Sequence, residues 1–285
     1  MIARALALRW TIGDVAMEGF EALRLSVWGA YHAFGDAALY AIGVNTLAVA
    51  TAKERTGQLP PGCAWHEVTH EIPSVLSGHL DPGMAEGVAW KLAPLRMFPN
   101  HFELSLDNDC ILWEVPQAIR TWLEQDSRAC VLAGDVRTCF GQFASECGDR
   151  PRNAGIRGLP PGFDVEHALS AVLACCPVRI SSELDEQGLQ VAALSRDTPP
   201  LVVGLDEVSI CSPFPPHLPY LGRSGAHFCG LNAKDLGWRL DGRAASDIVR
   251  EHWRRHRPHL YAHVGLGPAS CDGPDAAAPS DEVRV

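Results

Sequence analysis

No stretch of the 285-residue chain reaches the roughly 18 to 20 consecutive apolar residues that a helix needs to cross a bilayer, and the ten cysteines contain no Cys-x-x-Cys pair. The first absence excludes an integral membrane helix. The second, in a chain this long, argues against a thiol-redox motif or a zinc ribbon and leaves the scattered cysteines as reduced, buried, small apolar residues. Basic charge is also scarce, with 24 Lys and Arg against 34 Asp and Glu and a net charge of −10. That balance excludes a general nucleic-acid binder, which needs clustered cations to displace counterions from phosphates. The start of the chain lacks the uninterrupted apolar segment of a secretory leader, because Arg4 and Arg9 break it; the expected compartment is the cytoplasm. No internal repeat is present.

What is present has the balance of an ordinary globular protein, 47% hydrophobic and 20% charged. Apolar periodicity predicts a strand over Leu6–Ile12, a helix over Gly19–Phe34 and a continuously apolar, doubly covered strand over Ala38–Val44. This is a β-α-β unit and implies parallel pairing. A helix follows over Ala48–Arg55 and stops at Pro60-Pro61-Gly62, with strand or loop over Ala64–Ile72. A second unit has a helix around Met84–Leu95, a loop at Pro99-Asn100, a strand over Phe102–Leu106 and a helix from Pro116 to about Leu123. Further strands are expected at Val131–Gly134, Ala154–Ile156 and Leu201–Val203, with a capped helix over Asp164–Leu173. The stretch after Gly265 has no apolar periodicity. The expected organisation is one α/β domain over residues 1–264 and a disordered tail over 265–285.

Asp107-Asn108-Asp109 lies at the carboxyl end of the Phe102–Leu106 strand. Ligands collect at the carboxyl edges of strands in open α/β sheets, and two carboxylates at this spacing suit a hard divalent ion such as Mg²⁺ or Mn²⁺. Taken alone, such a triplet is equally a solvated loop.

Other segments resemble, in order, landmarks of the retaining family-8 glycosyltransferases, the glycogenin-like and bacterial galactosyltransferase-like enzymes. Ala89-Trp90-Lys91-Leu92, upstream of the strand ending in Asp107-Asn108-Asp109, is similar to that family's aromatic-basic-Leu helix before D-x-D. Asn153-Ala154-Gly155 resembles its N-S-G segment and Asp185-Glu186-Gln187 its D-Q segment. His227-Phe228-Cys229-Gly230 with Lys234 is similar to its H-x-x-G-x-x-K. The chain departs from the pattern in three places: Lys234 comes one residue late, the Pro-Trp after it is absent, and Glu186 stands where the family has an amide.

The resemblance implies a GT-A, Rossmann-like nucleotide-diphospho-sugar transferase fold, with a mostly parallel central sheet flanked by helices. It implies a metal held by Asp107, Asp109 and His227, with Mn²⁺ or Mg²⁺ as cofactor. Lys91, Asn153, Gly155, Gly230 and Lys234 would bind a UDP-type nucleotide-sugar donor, and Asp185, Glu186 and Gln187 would face the reacting sugar. The acceptor is not specified. Read singly, Asn153-Ala154-Gly155 is a turn, Asp185-Glu186-Gln187 an acidic first turn of a helix, and His227 a core histidine.

Two rival enzyme readings are weaker. A sugar-nucleotide nucleotidyltransferase should carry a Gly-rich basic loop after its first strand, where Gly13-Asp14-Val15-Ala16-Met17-Glu18-Gly19 stands instead. His66-Glu67-Val68-Thr69-His70 fits H-E-x-x-H, the zinc-protease signature, but that motif needs a helix. Pro60, Pro61 and Pro73 flank this segment, and Val68-Thr69 favour strand. A non-catalytic nucleotide-sugar binder with the same fold remains an alternative. The basic run Glu251–Arg257 is a solvated helix end or, less simply, a weak peripheral membrane contact.

Overall fold

The computed structural model describes residues 5–68, 72–81 and 91–267. The first strand, β1 (Leu6–Ile12), alternates faces: Leu6, Leu8, Trp10 and Ile12 enter one core layer, while Arg9 turns to the other side. From β1 the chain winds through helix α1 (Met17–Phe34), β2 (Leu39–Val44), helix α2 (Val49–Thr56) and β3 (Cys63–Glu67). It then returns to the opposite flank of β1 as β4 (Phe102–Leu106). The turn Asp107–Asp109 leads out of β4 into β5 (Cys110–Leu112), which leaves the main sheet, and helix α3 (Gln117–Glu124) follows. Next come β6 (Val131–Gly134), β7 (Arg152–Leu159), helix α4 (Val165–Cys175), helix α5 (Glu183–Ser195) and β8 (Leu201–Val203). The seven central strands lie in the order β3-β2-β1-β4-β7-β6-β8, and β7 alone runs against its neighbours β4 and β6. The strand order reverses between β1 and β4, a topological switch point at whose carboxyl edge ligands bind in α/β sheets. Asp14 follows β1 there and Asp107 follows β4.

One core layer packs α1, α2 and α3 on the sheet through Phe20, Leu23, Ala52, Ile119 and Trp122. On the other face α4 and α5 bury Leu169, Val172, Leu189 and Val191 against Leu132 and Leu159. A second, three-stranded sheet has the order β5-β10-β9, with β9 at Val208–Ile210 and β10 at Gly225–His227. The long helix α6 (Ala245–His263) packs beside it through Val249, Trp253 and Leu260. Nothing in the sequence pointed to this sheet, whose strands come together only through tertiary pairing.

Two glycines bring α1 against the small sheet. A Cβ on Gly29 would collide with the Leu112 carbonyl oxygen, and one on Gly19 would collide with the Asn232 side chain. The contact is further tied by buried polar groups: the Trp10 indole donates to Ser26 Oγ at 2.8 Å and the Ser26 hydroxyl donates to the Cys110 carbonyl at 2.5 Å.

Strand β3 includes His66 and Glu67, so this half of the H-E-x-x-H segment is extended and not helical; His70 lies outside the described residues. The helix expected over Met84–Leu95 falls mostly outside them too, and helix is seen only at Lys91 and Leu92. Helix α6 is longer than the basic run it contains. Three of its four arginines meet carboxylates: Arg250 with Glu18, Arg255 with Glu251 and Arg257 with Glu21. The nine described cysteines are all free, but only Cys110, Cys130, Cys147 and Cys211 are buried, and Cys175 is exposed. Among the described residues no helix is long and apolar enough to cross a membrane, and most of the proposed tail, 268–285, lies outside them.

Replacing Gly29 by alanine forces α1 off β5 and should cost about 1–3 kcal/mol, as overpacking does. Thermal denaturation should show a fall in Tm of several degrees, whereas alanine at the unobstructed Gly148 should show only the smaller cost of its positive φ.

Candidate active site

The triplet Asp107–Asp109 is a tight turn between the two sheets. The Asp107 amide donates to the Gly155 carbonyl on one side, at 2.9 Å, and the Cys110 amide closes the turn on the Asp107 carbonyl. Strand β10 pairs antiparallel with β5 so that His227 stands opposite Cys110, and the Phe228 amide donates to the Asp109 carbonyl. Residues 120 positions apart are thereby brought together. His227 Nε2 lies 3.3 Å from Asp109 Oδ1 and 3.6 Å from Asp107 Oδ2, and ligand atoms of all three residues lie within 4.8 Å of one another.

The donor set fits a divalent ion. Asp109 Oδ1 is buried without a well-formed hydrogen bond; its neighbour is His227 Nε2 at 3.3 Å, and the pair leaves carboxylate lone pairs that a cation could meet. Two carboxylates and one imidazole are the oxygen-rich mixture that Mn²⁺ and Mg²⁺ accept. Burial works against a charged His227 ring, but the Cys229 thiol, 3.6 Å from Nε2, and the Asp109 carboxylate outweigh it and hold the His227 pKa well above the ordinary histidine value. Burial also works against ionised Asp107, but Lys91 and then His227 hold its carboxyl below the usual range.

Gly155 belongs to an irregular segment of β7. Opposite β6 the register jumps from Leu132↔Arg157 to Ala133↔Asn153, so residues 154–156 bulge from the ladder. The Asn153 Oδ1 accepts the Gly155 amide, while its Nδ2 donates to the Gly134 carbonyl and to Asp135. A Cβ on Gly155 would overlap the His227 ring and lie 2.7 Å from Nδ1. Glycine at 155 is therefore what lets the histidine reach the carboxylates.

Lys91 donates to Asp107 Oδ2 at 3.0 Å. Its backbone is gripped from beneath: Arg9 donates to the Lys91 and Pro94 carbonyls at 3.0 and 2.8 Å, and Arg157 to the Lys91 carbonyl at 3.4 Å. Both guanidiniums are buried, with Glu103 as the neighbouring countercharge at 3.4 Å from Arg9. Glu186 lies behind Lys91. Gln190 links it to Arg157, accepting from that guanidinium at 2.6 Å and donating to the Glu186 carboxylate. Burial raises the Glu186 pKa above its ordinary value; Lys91 opposes the shift and Asp107 adds to it.

The other predicted residues are placed differently. Asp185 caps α5, accepting from the amides of Ser181, Ser182 and Gln142, with Ser182 capping in return. Burial works against its ionisation, yet the Gln142 and Ser181 hydrogen bonds lower its pKa to about 2. Gln187 donates to the Cys139 carbonyl at 2.8 Å. Lys234 is exposed and sits on Asp14 at 2.6 Å, at the carboxyl edge of β1. Gly230 supplies a turn with φ +86.

Asn232, which no motif singled out, exchanges amide hydrogen bonds with Asn108 and donates to Asp109 Oδ2 at 3.3 Å. Arg9, Glu103 and Arg157 were also passed over. Each is a charged residue on a strand of the central sheet, buried in the fold.

The class of fold is that of the GT-A glycosyltransferases. Two structures of the galactosyltransferase LgtC match it: one of an active-site mutant, with TM-score 0.52 over 87% of this chain and 95% of LgtC, the other a complex with donor and acceptor sugar analogs, with TM-score 0.51 over 87% and 99%. Both are 12% identical to this chain, so the likeness is one of fold. No protein-family model and no curated protein sequence matches.

Gly155→Ala should weaken Mn²⁺ binding at least tenfold in a calorimetric titration while circular dichroism stays native. Asp185 offers a second test. A carboxyl depressed from 3.8 to about 2 contributes about 2 kcal/mol that is fully present above the unfolded value and lost as pH falls through the folded one. The stability difference between wild type and Asp185→Asn in urea should therefore be largest near neutrality and shrink between about pH 4 and pH 2.

Proposed function

We propose that the protein is a metal-dependent glycosyltransferase that transfers a sugar from a UDP-type nucleotide-sugar to an acceptor with retention at the anomeric carbon. The observation that carries this reading is the convergence of Asp107, Asp109 and His227 at the switch point of a GT-A fold, where ligand atoms of all three lie within 4.8 Å of one another. Nucleotide, donor sugar and stereochemistry rest on the family-8 resemblance.

In the transfer, the bond between the anomeric carbon and the diphosphate oxygen breaks and a bond to an acceptor hydroxyl oxygen forms; the hydroxyl proton leaves with the departing diphosphate. Negative charge grows on the leaving group and oxocarbenium character on the sugar. Asp107, Asp109 and His227 would hold a divalent ion, which would supply electrostatic stabilisation of the diphosphate. The Lys91 ammonium, fixed in place by Arg9 and Arg157, adds permanent positive charge beside it. Lys234 exchanges Asp14 for a phosphate when donor binds. Asn153, Gly155, Gly230 and Gln187 shape the donor pocket. Glu186 supports positive charge at the sugar, and Asp185 positions it by capping the first turn of α5. Ionised Glu186 suits that task, and burial moves the acidic limb of activity above the ordinary carboxylate range.

The absence of disulfides among nine described cysteines supports a reducing compartment, and we place the reaction in the cytoplasm. The ion pairs of Arg250, Arg255 and Arg257 favour a solvated α6 over a membrane contact.

A panel of nucleotide-sugars assayed with Mn²⁺ tests the proposal. Metal-dependent release of UDP, reduced at least 100-fold in Asp109→Asn, is the expected result. Pyrophosphate release would instead mark a nucleotidyltransferase, and binding without turnover a non-catalytic protein. Glu186→Gln should lower kcat more than it changes KM and remove the acidic limb of the pH profile.

A further inference from the structure

On the far side of β10 from His227, a second group of ligating side chains converges. Cys211 follows β9, and its amide donates to the His227 carbonyl at 2.9 Å. His252 and His256 sit one turn apart on α6, so both imidazoles leave the same face of the helix. Their ring centroids are 4.6 Å apart and their planes 68° apart. Cys211 Sγ lies 3.3 Å from His252 Nε2, and one ligand atom from each of the three residues lies within 4.8 Å of the others. Cys211 and His252 are buried, and His256 is half-buried. Phe228 packs against both imidazoles and Trp253, which closes the apolar side.

We propose that Cys211, His252 and His256 form a zinc-type metal site, separate from the Asp107–Asp109–His227 group and independent of its reading. One thiolate and two imidazoles are borderline-soft donors that select Zn²⁺ over Mg²⁺ or Mn²⁺. With Zn–S of about 2.3 Å and Zn–N of about 2.0 Å, a tetrahedral edge from sulfur to nitrogen is about 3.5 Å. The Cys211–His252 separation already matches it, and the third donor closes on it by side-chain rotation.

His256 is held as a ligating imidazole usually is: Nε2 lies 3.0 Å from the Pro219 carbonyl, so it donates there and leaves the Nδ1 lone pair free. On binding, the Cys211 S–H bond breaks, its proton goes to solvent and the sulfur lone pair goes to the metal. Three protein ligands leave one coordination position for water or another donor. The site clasps α6 to the strand pair that carries His227.

The full-length protein, stripped with chelator, is titrated with Co²⁺ and Zn²⁺ in an Asp109→Asn background that disables the first site. One cobalt per chain with a thiolate-to-cobalt charge-transfer band is expected, together with a Tm raised by several degrees in Zn²⁺. Cys211→Ser should abolish the band and the Tm shift, and Cys229→Ser should leave both. His256→Gln, at a half-buried position that tolerates a polar residue, should weaken cobalt binding at least tenfold and keeps the test decisive if Cys211→Ser fails to fold. A band that is absent, that survives Cys211→Ser, or that disappears with Cys229→Ser overturns the proposal.

Discussion

The pairing of β5 with β10 sets His227 opposite Cys110, one residue from Asp109, and most of what surrounds the candidate site follows from that register. A slip of one residue would turn the histidine to the opposite face of the ribbon, since side chains alternate along a strand. The register is fixed from several sides. Helix α1 presses on β5 through Gly29, Ser26 holds the Cys110 carbonyl, and the paired amides of Asn108 and Asn232 tie the triplet to the chain that follows β10. The small sheet is thus less an accessory than the device that converts a strand-end turn into a three-ligand cluster.

Beneath the cluster lies a layer of buried charge that a hydrophobic core would not contain by preference. Arg9, Arg157 and Glu103 occupy strand centres, where taking ions out of water is expensive and is recovered only through good geometry. Burial, with Arg157 adding to it and Glu103 opposing, brings the Arg9 pKa down to about 9. Replacing such a layer with aliphatic residues often stabilises a protein, so its place here reads as positioning. The two guanidiniums hold one carbonyl, that of Lys91, and thereby aim an ammonium at Asp107.

The parallel half of the fold was legible in the chain because β1, α1 and β2 are long enough for their periods to show, and the capped start of α4 was visible in Asp164. Within the site, the resemblance brought forward Asp107, Asp109, His227 and Gly155, and these the fold assembles. It also brought forward Asp185 and Gln187, whose polar atoms serve the helix cap and a loop carbonyl. Polar side chains at a helix start are favoured by capping as well as by ligand binding, and that shared preference is what the sequence shows. Strands β5, β9 and β10 form a sheet that exists only through tertiary pairing, so they stayed hidden, and with them the partner Asn232. The pairing of Cys211 with His252 and His256 was equally beyond reach, because its two elements are joined only through tertiary packing.

The small sheet draws β5 from the first half of the chain and β9 and β10 from much later. During synthesis the acidic turn therefore emerges long before its imidazole, and the ribosome has made more than a hundred further residues before the cluster can close. Such non-local closure is slow relative to local helix formation. Until it happens the nascent chain exposes an acidic turn without its third ligand, and competence to hold an ion arrives late, as a property of the nearly finished molecule.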